Sequence, residues 1–147
     1  MNREVLFRGK TTDTGEWVYG YLASGKHWLD EDSMTVIIPT DGTFYPHCEI
    51  SEYDLVDPET VGQYTGLKDK NGNKIFEGDI VKLDDYVKRT FSVTDSEVVY
   101  NGGMFKVGNE ANLCCSLYTL SDIYFVLRGE VIGNIWDNLE KIMEVEK

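Results

Sequence analysis

The stretch Gln63–Lys82 reads QYTGLKDKNGNKIFEGDIVK and carries most of the information about the fold. The dipeptide Asn71-Gly72 lies between two apolar runs, which is typical of a β-hairpin because both residue types tolerate positive φ. Gly66 and Gly78 are expected where positive φ or a close backbone approach is needed. The β-branched pair Ile80-Val81 indicates a strand. The stretch therefore predicts antiparallel β structure on both sides of its turn.

The rest of the chain repeats this pattern of short apolar and polar runs broken by Gly, Asn and Asp. Asp13-Thr14-Gly15 predicts a tight turn between a first strand and the run that begins at Trp17. Asp41-Gly42 and Asn101-Gly102-Gly103 predict two further hairpin turns. Regularly spaced turns between short strands are typical of an all-β or β-rich fold.

Residues 46–60 lack a regular pattern and are rich in acidic residues, so we expect them to connect two parts of the chain. The sequence predicts an N-terminal β-hairpin lobe over residues 1–60 and a barrel-like domain over residues 61–147, with a single domain over 1–147 as the alternative. Asp137 or Asn138 is expected to cap a short C-terminal helix. The expected fold class is mainly β: antiparallel hairpins that form a small SH3-like barrel, the β lobe and this helix. The barrel rests on fold-level analogy.

Composition places the expected protein in a reducing cytoplasm. The chain has 147 residues, of which 41% are hydrophobic, which is enough for a core without disulfides or metal. It contains no run of the ~20 apolar residues that span a bilayer, and its first residues lack the apolar run of a signal peptide. Cys114 and Cys115 are adjacent, a strained geometry for a disulfide, so reduced thiols are expected.

The charge balance disfavours nucleic acid as a partner. There are 26 acidic and 14 basic residues, a net charge of −12 that repels phosphate at long range. A local basic region remains as an alternative, and we expect its side chains to face solvent. Its members are Lys68, Lys70, Lys74, Lys82, Lys88 and Arg89.

Motifs for catalysis, metals and cofactors were sought and none is predicted. Asp69-x-Asn71-x-Asn73 resembles a calcium loop, but Lys74 and Ile80 stand where that loop needs glycine and glutamate. The run Asp30-Glu31-Asp32 near His27 is expected to face water. His47 and Cys48 are neighbours and would point to opposite faces of a strand. The sequence therefore predicts a protein that is not an enzyme and that has no metal or cofactor.

Gln63–Lys82 resembles the signature block of YopX-like proteins. In that block an aromatic residue precedes Thr-Gly-Leu-x-Asp-x-x-Gly, and an Ile-aromatic-Glu-Gly-Asp-Ile-Val run follows. The segments Arg3–Arg8 and Val131–Trp136 agree with further family blocks, although Trp136 stands where tyrosine is more frequent. The resemblance implies a phage or prophage protein with a largely β fold that acts in the cytoplasm of a bacterial host. It implies no reaction.

These observations favour a non-catalytic accessory protein that binds a protein partner or assembles with itself. The alternative is a nucleic-acid-related protein, which either binds through the region Lys68–Arg89 or acts as an acidic DNA mimic. Within the signature block, folding accounts for the glycines and the turn but leaves four polar residues unexplained. The predicted interaction surface therefore consists of Lys68, Asp69, Glu77 and Asp79.

Overall fold

The computed structural model describes residues 3–27, 29, 31–41, 52–83, 85, 88–89, 95–107, 118–119 and 129–137. Short strands dominate these residues, and Pro58–Thr60 forms a 3-10 helix. The strands are β1 Phe7–Lys10, β2 Trp17–Lys26, β3 Ser33–Pro39, β4 Asp54–Leu55, β5 Gly62–Lys68, β6 Lys74–Phe76, β7 Asp79–Lys82, β8 Ser96–Asn101, β9 Met104–Val107, β10 Tyr118–Thr119 and β11 Glu130–Asn134. Asp85, Lys88 and Arg89 are helical.

All recorded strand pairs are antiparallel, which confirms the prediction of a mainly β fold. Strand order alone does not assign a barrel, so the SH3-like barrel stays a prediction. The C-terminal helix expected after Asp137 lies outside the described residues. Of the turn expected at Asp41-Gly42, only Asp41 is described. Among the residues that the structure describes, no helix has the length and apolar character that crossing a membrane requires.

Contacts within the chain divide it into two compact units, Met1–Tyr64 and Thr65–Lys147. The chain passes from the first unit to the second inside β5. The boundary expected between residues 60 and 61 stays a prediction about domains, because a division by contacts does not test whether either part folds alone.

The first unit is built on a sheet with the strand order β4-β3-β2-β1-β5. The turn predicted at Asp13-Thr14-Gly15 joins β1 to β2, and Gly15 there has φ of 70°. β2 is ten residues long. Its first four residues pair with β1, whereas its partner β3 continues along it as far as Lys26.

The core of the first unit depends on close backbone packing. A side chain at Gly20 would overlap the backbone carbonyl of Ile38. A Cβ at Gly9 would lie 3.1 Å from the Cβ of Val56. Among the described residues of this unit, the buried apolar side chains are Leu6, Ile37, Ile38, Val56 and Tyr64.

Two cations pack against Trp17 in the first unit. The Arg8 guanidinium carbon lies 4.6 Å from the centroid of the Trp17 ring, and the Lys10 Nζ lies 5.4 Å from it. Since Lys10 is paired directly with Trp17 across β1 and β2, the strand register sets this arrangement.

The second unit contains a sheet with the order β10-β9-β8-β7-β11, and β6 lies beside β5. Gly102 and Gly103 have φ of 61° and 82°, which confirms the predicted turn between β8 and β9. A register shift between Val131 and Gly133 places a bulge in β11. In the described part of this unit, a buried core cluster contains Ile75, Val81, Leu83, Val98 and Val107, with Leu67, Phe105 and Val131 packed against it.

Candidate functional site

The turn between β5 and β6 is organised by the carboxylate of Asp69. Its Oδ1 accepts the backbone N–H groups of Asn71 at 2.9 Å and Asn73 at 2.8 Å. Its Oδ2 accepts the side-chain amide of Asn73 at 3.2 Å. Gly72 completes the turn with φ of 83°, as the sequence predicts. An aspartate side chain that binds the backbone of the following residues stabilises such a turn locally.

The same carboxylate reaches a strand far along the chain. Its Oδ2 accepts the backbone N–H of Val131 in β11 at 3.0 Å, and the residue is only 6% exposed. Burial by itself raises the pKa of Asp69, but hydrogen bonds from Val131, Asn73 and Asn71 outweigh that effect and hold the pKa below its usual value. The charged form is therefore favoured in the folded protein.

Three further contacts hold this turn against the start of β11. The backbone N–H of Lys70 donates to the carbonyl of Gly129 at 3.1 Å. The Lys70 Nζ lies 3.3 Å from a carboxylate oxygen of Glu130, and the Asn71 side chain donates to the other oxygen at 3.4 Å. Because the Lys70–Glu130 pair is exposed, it contributes little to stability, and the Asp69 hydrogen bonds dominate.

A second tight turn joins β6 to β7. The buried Asp79 carboxylate accepts the backbone N–H of Phe76 at 2.8 Å. Gly78 has φ of 86°, which matches the third position of a type II turn and confirms the prediction of positive φ. The apolar pattern of Lys74–Leu83 predicts strand character throughout, whereas in the structure β6 ends at Phe76 and β7 begins at Asp79.

Gly78 also permits a close approach by Trp136. A Cβ at this position would overlap the edge of the Trp136 ring. The Gly78 N–H donates to the carbonyl of Val98 at 2.8 Å, and its carbonyl accepts the N–H of Ile135 at 3.0 Å. Gly78 therefore joins β7, β8 and the end of β11 at one point.

The four residues predicted as an interaction surface occupy two kinds of environment. Lys68 is exposed and Glu77 is half-buried. Asp69 and Asp79 are 6% and 2% exposed, and both bind backbone N–H groups of their own turns. The two carboxylates are explained by folding, and no observation tests an interaction surface formed by all four.

Two members of the basic region are paired with carboxylates. Lys70 faces Glu130, as described above, and the Lys88 Nζ lies 2.7 Å from Asp95. Asp95 also accepts the backbone N–H of Leu83 at 3.0 Å. Neutralisation by these acids weakens the positive field that phosphate binding would require.

The predictions about metal and thiol sites fall partly outside the described residues. Among them, no group of three or more His, Cys, Asp or Glu side chains is arranged to hold a metal ion. His47, Cys48, Cys114, Cys115 and Asp30 lie outside the described ranges.

An apolar surface on the first unit was not anticipated from the sequence. Ala23, Val36 and Leu55 lie directly opposite one another across β2, β3 and β4, so they share one face of the sheet. Tyr21 and Met34 lie two residues from members of this row and therefore project on the same side. Tyr53 borders a groove together with Ala23, Met34 and Val36. We define the β2–β4 apolar face as Tyr21, Ala23, Met34, Val36, Tyr53 and Leu55.

Large side chains of the β2–β4 apolar face are open to solvent. Tyr21, Tyr53 and Leu55 are 45%, 49% and 41% exposed. The groove has a volume of about 350 Å³ and is also bordered by Ser24, Gly25, Lys26 and His27. Contiguous exposed apolar side chains rimmed by polar residues are typical of interaction sites.

The sequence contains the signal for this face but not its register. Apolar residues recur at every second position along one side of β2 and of β3, although Leu22 and Ile37 are apolar on the other side. Which sides coincide depends on pairing between strands, such as Ala23 with Val36. A register shift of one residue would place these residues on opposite faces.

Comparison with known proteins agrees with the signature block. The family model described as "YopX protein" matches residues 6–143. A similar solved structure is the crystal structure of protein EF1440 from Enterococcus faecalis, with 31% sequence identity and a TM-score of 0.55. The match covers 96% of this chain and 99% of that chain. No curated protein matches the sequence.

Proposed function

Since the chain belongs to the YopX family, we propose that it is a non-catalytic module that binds a partner protein through the β2–β4 apolar face. The exposure of Tyr21, Tyr53 and Leu55 on one side of a single sheet is the observation that carries this proposal. Aromatic side chains are favoured at protein interfaces because they bury a large area at low entropic cost. The alternative is that a second copy of this chain binds to the same face.

The non-catalytic part of the proposal rests on the signature block. Asp69 and Asp79 are the acidic residues of the block that burial would equip for acid–base chemistry. Their carboxylates instead accept backbone N–H groups of Asn71, Asn73, Val131 and Phe76. These hydrogen bonds engage both carboxylate oxygens of Asp69 and one of Asp79, which supports a structural role for the two side chains.

Family resemblance also motivates the proposal that the protein is a phage or prophage accessory factor in the cytoplasm of a bacterial host. Genes beside its coding sequence are then expected to encode other phage proteins. A neighbourhood of bacterial housekeeping genes, without phage genes, would contradict this origin.

Affinity capture with face-specific variants tests the interaction. The full chain and the variants Tyr21→Ser, Tyr53→Ser and Leu22→Ser are immobilised and exposed to nuclease-treated bacterial lysate, and captured proteins are identified and purified. Leu22 is the matched control, because it adjoins Tyr21 on β2 but lies on the opposite face and is 38% exposed.

The purified partner is expected to bind the unaltered chain and Leu22→Ser equally. Its affinity should fall about tenfold with Tyr53→Ser, a loss of about 1.4 kcal/mol. Circular dichroism verifies that each variant is folded. Equal affinities for all variants would reject the apolar face, and measurable turnover of a substrate by the purified chain would reject the non-catalytic role.

A further inference from the structure

The negative charge of the first unit indicates which charge a partner of the β2–β4 apolar face should carry. Residues 1–64 contain 12 acidic and 4 basic residues, a net charge of −8, so most of the chain's net −12 lies in this unit. The acidic residues are not remote from the β2–β4 apolar face. Glu31 and Asp32 immediately precede β3, and Glu52 immediately precedes Tyr53, whereas Asp54 lies opposite Ile37 and therefore projects to the other side of the sheet.

Backbone contacts hold one of these acidic pairs beside the groove. The N–H of His27, a groove residue, donates to the carbonyl of Asp32 at 2.8 Å, and the N–H of Glu31 donates to the carbonyl of His27 at 3.0 Å. Glu31, Asp32 and Glu52 are exposed, and Asp54 is half-buried. Lys26 and His27 border the groove itself, whereas Glu31, Asp32 and Glu52 lie next to its lining residues His27 and Tyr53, so three carboxylates stand against one lysine around the groove.

We propose that the occupant of the β2–β4 apolar face is a cationic polypeptide segment that presents apolar side chains. This inference rests on the proposed function and specifies its partner. Apolar side chains of the segment would contact Ala23, Val36 and Tyr53, while its lysine or arginine residues would lie near the surrounding carboxylates. Opposite potentials on two surfaces increase the rate of association and exclude partners of the wrong charge.

The same charges disfavour a second copy of this chain as the occupant. Two copies related by a two-fold axis would bring the same surface of each into contact. The acidic rim of one copy would then face the acidic rim of the other, and each chain carries a net charge of −12. Like charges at an interface lower affinity, so a basic partner fits this face better.

Three labelled synthetic peptides test the inference with the purified full chain. One alternates leucine and lysine, the second alternates leucine and glutamate, and the third alternates serine and lysine. Fluorescence anisotropy measures the affinity of each for the unaltered chain, Tyr53→Ser and Leu22→Ser, at low and at physiological salt.

The leucine–lysine peptide is expected to bind at least about tenfold more tightly than either other peptide, and its binding should weaken with salt. Tyr53→Ser should lose this binding and Leu22→Ser should retain it. Equal binding of the serine–lysine peptide would overturn the inference, because charge alone would then suffice. Absence of binding by all three peptides would also overturn it.

Two outcomes separate this inference from the proposed function. If leucine–glutamate and leucine–lysine peptides bind equally and Tyr53→Ser abolishes both, the apolar face remains an interaction site and the cationic partner is rejected. If light scattering shows a dimer that Tyr53→Ser dissociates, a second copy is the occupant and the cationic partner is likewise rejected.

Discussion

The carboxylate of Asp69 accepts the backbone N–H of Val131 at 3.0 Å, although the two residues are 62 positions apart in the sequence. With its three bonds inside the β5–β6 turn, this contact connects a local turn to the last described strand of the second unit. The most characteristic segment of the family therefore contains a structural connection whose removal has measurable consequences.

Replacement of Asp69 by alanine is expected to lower the free energy of unfolding by about 2 kcal/mol or more, since each buried donor left without an acceptor costs ~1–3 kcal/mol. The backbone N–H groups of Asn71, Asn73 and Val131 all lose their acceptor. Urea denaturation measures the change. Asp57→Asn is the control, because Asp57 accepts one exposed N–H and asparagine caps equally well. Equal loss in both variants would contradict the special role of Asp69.

The stability of the protein should fall in acid because of Asp69. Its folded pKa is lower than its unfolded pKa, so its stabilising contribution is complete above the unfolded value of about 3.9. The contribution decreases as the pH falls below that value and is lost as the pH passes through the folded pKa. Urea denaturation between pH 6 and pH 2.5 should show a smaller dependence on pH in Asp69→Asn than in Asp57→Asn. Identical profiles for the two variants would contradict this assignment.

Alanine at Gly78 is expected to be more destabilising than alanine at Gly66. The two glycines have φ of 86° and 87°, so the backbone strain of about 1–2 kcal/mol applies to both. A Cβ at Gly66 meets no atom within 4 Å, whereas one at Gly78 overlaps the ring of Trp136. Overpacking adds ~1–3 kcal/mol at Gly78 only.

A double variant isolates the contribution of the indole ring. Trp136→Ala should cost less stability in the Gly78→Ala background than in the unaltered chain, because removal of the ring relieves the overlap that alanine at position 78 introduces. Thermal and urea denaturation of the four proteins measure this coupling. Additive losses would show that the ring does not limit the size of residue 78.

Asn101 is expected to deamidate faster than Asn71, although glycine follows both. In this reaction the next backbone nitrogen attacks the side-chain carbonyl carbon, ammonia leaves, and water opens the succinimide to aspartate and isoaspartate. The N–H of Gly72 donates to the carbonyl of Asp69 at 3.0 Å, and the Asn71 side chain donates to Glu130 at 3.4 Å. Asn101 and Gly102 are exposed at a hairpin turn.

Peptide mapping by mass spectrometry after incubation at mildly alkaline pH measures both rates. Glu130→Ala is the informative variant, because it removes a restraint on Asn71 and leaves Asn101 unchanged. Faster reaction at Asn71 than at Asn101 in the unaltered chain would show that these hydrogen bonds do not control the chemistry.

Local features of the fold were predictable because their causes are local. Asn71-Gly72 and Asn101-Gly102-Gly103 form the expected turns, and Gly66 and Gly78 have the expected positive φ, since only a few residue types tolerate these conformations. The hydrogen bond between Asp69 and Val131 was not predictable from the sequence, because tertiary packing brings these two distant residues together. Asp69 and Asp79 are buried whereas Lys68 is exposed, and no pattern in the sequence indicates which polar residues of a turn face inward.

The β2–β4 apolar face also combines a local pattern that the sequence shows with a tertiary arrangement that it does not show. The alternation along β2 and β3 is visible in the sequence, but the row Ala23, Val36 and Leu55 requires the register of three strands. Charge was predictable as a total, and its concentration in residues 1–64 follows once the contacts define the first unit.

The pairing of β7 with β11 has a consequence for the order of events during synthesis. Val81 pairs with Val131, and Asp79 pairs with Asn134, so one edge of β7 has no partner until β11 is synthesised, whereas its other edge pairs with the earlier strand β8. Contacts between distant parts of a chain form slowly, and an unpaired strand edge can associate with other chains. A nascent chain that stalls before Glu130 would leave this edge of β7 unpaired and the Asp69 carboxylate without the N–H of Val131, so the described part of the second unit is complete only once β11 has been made.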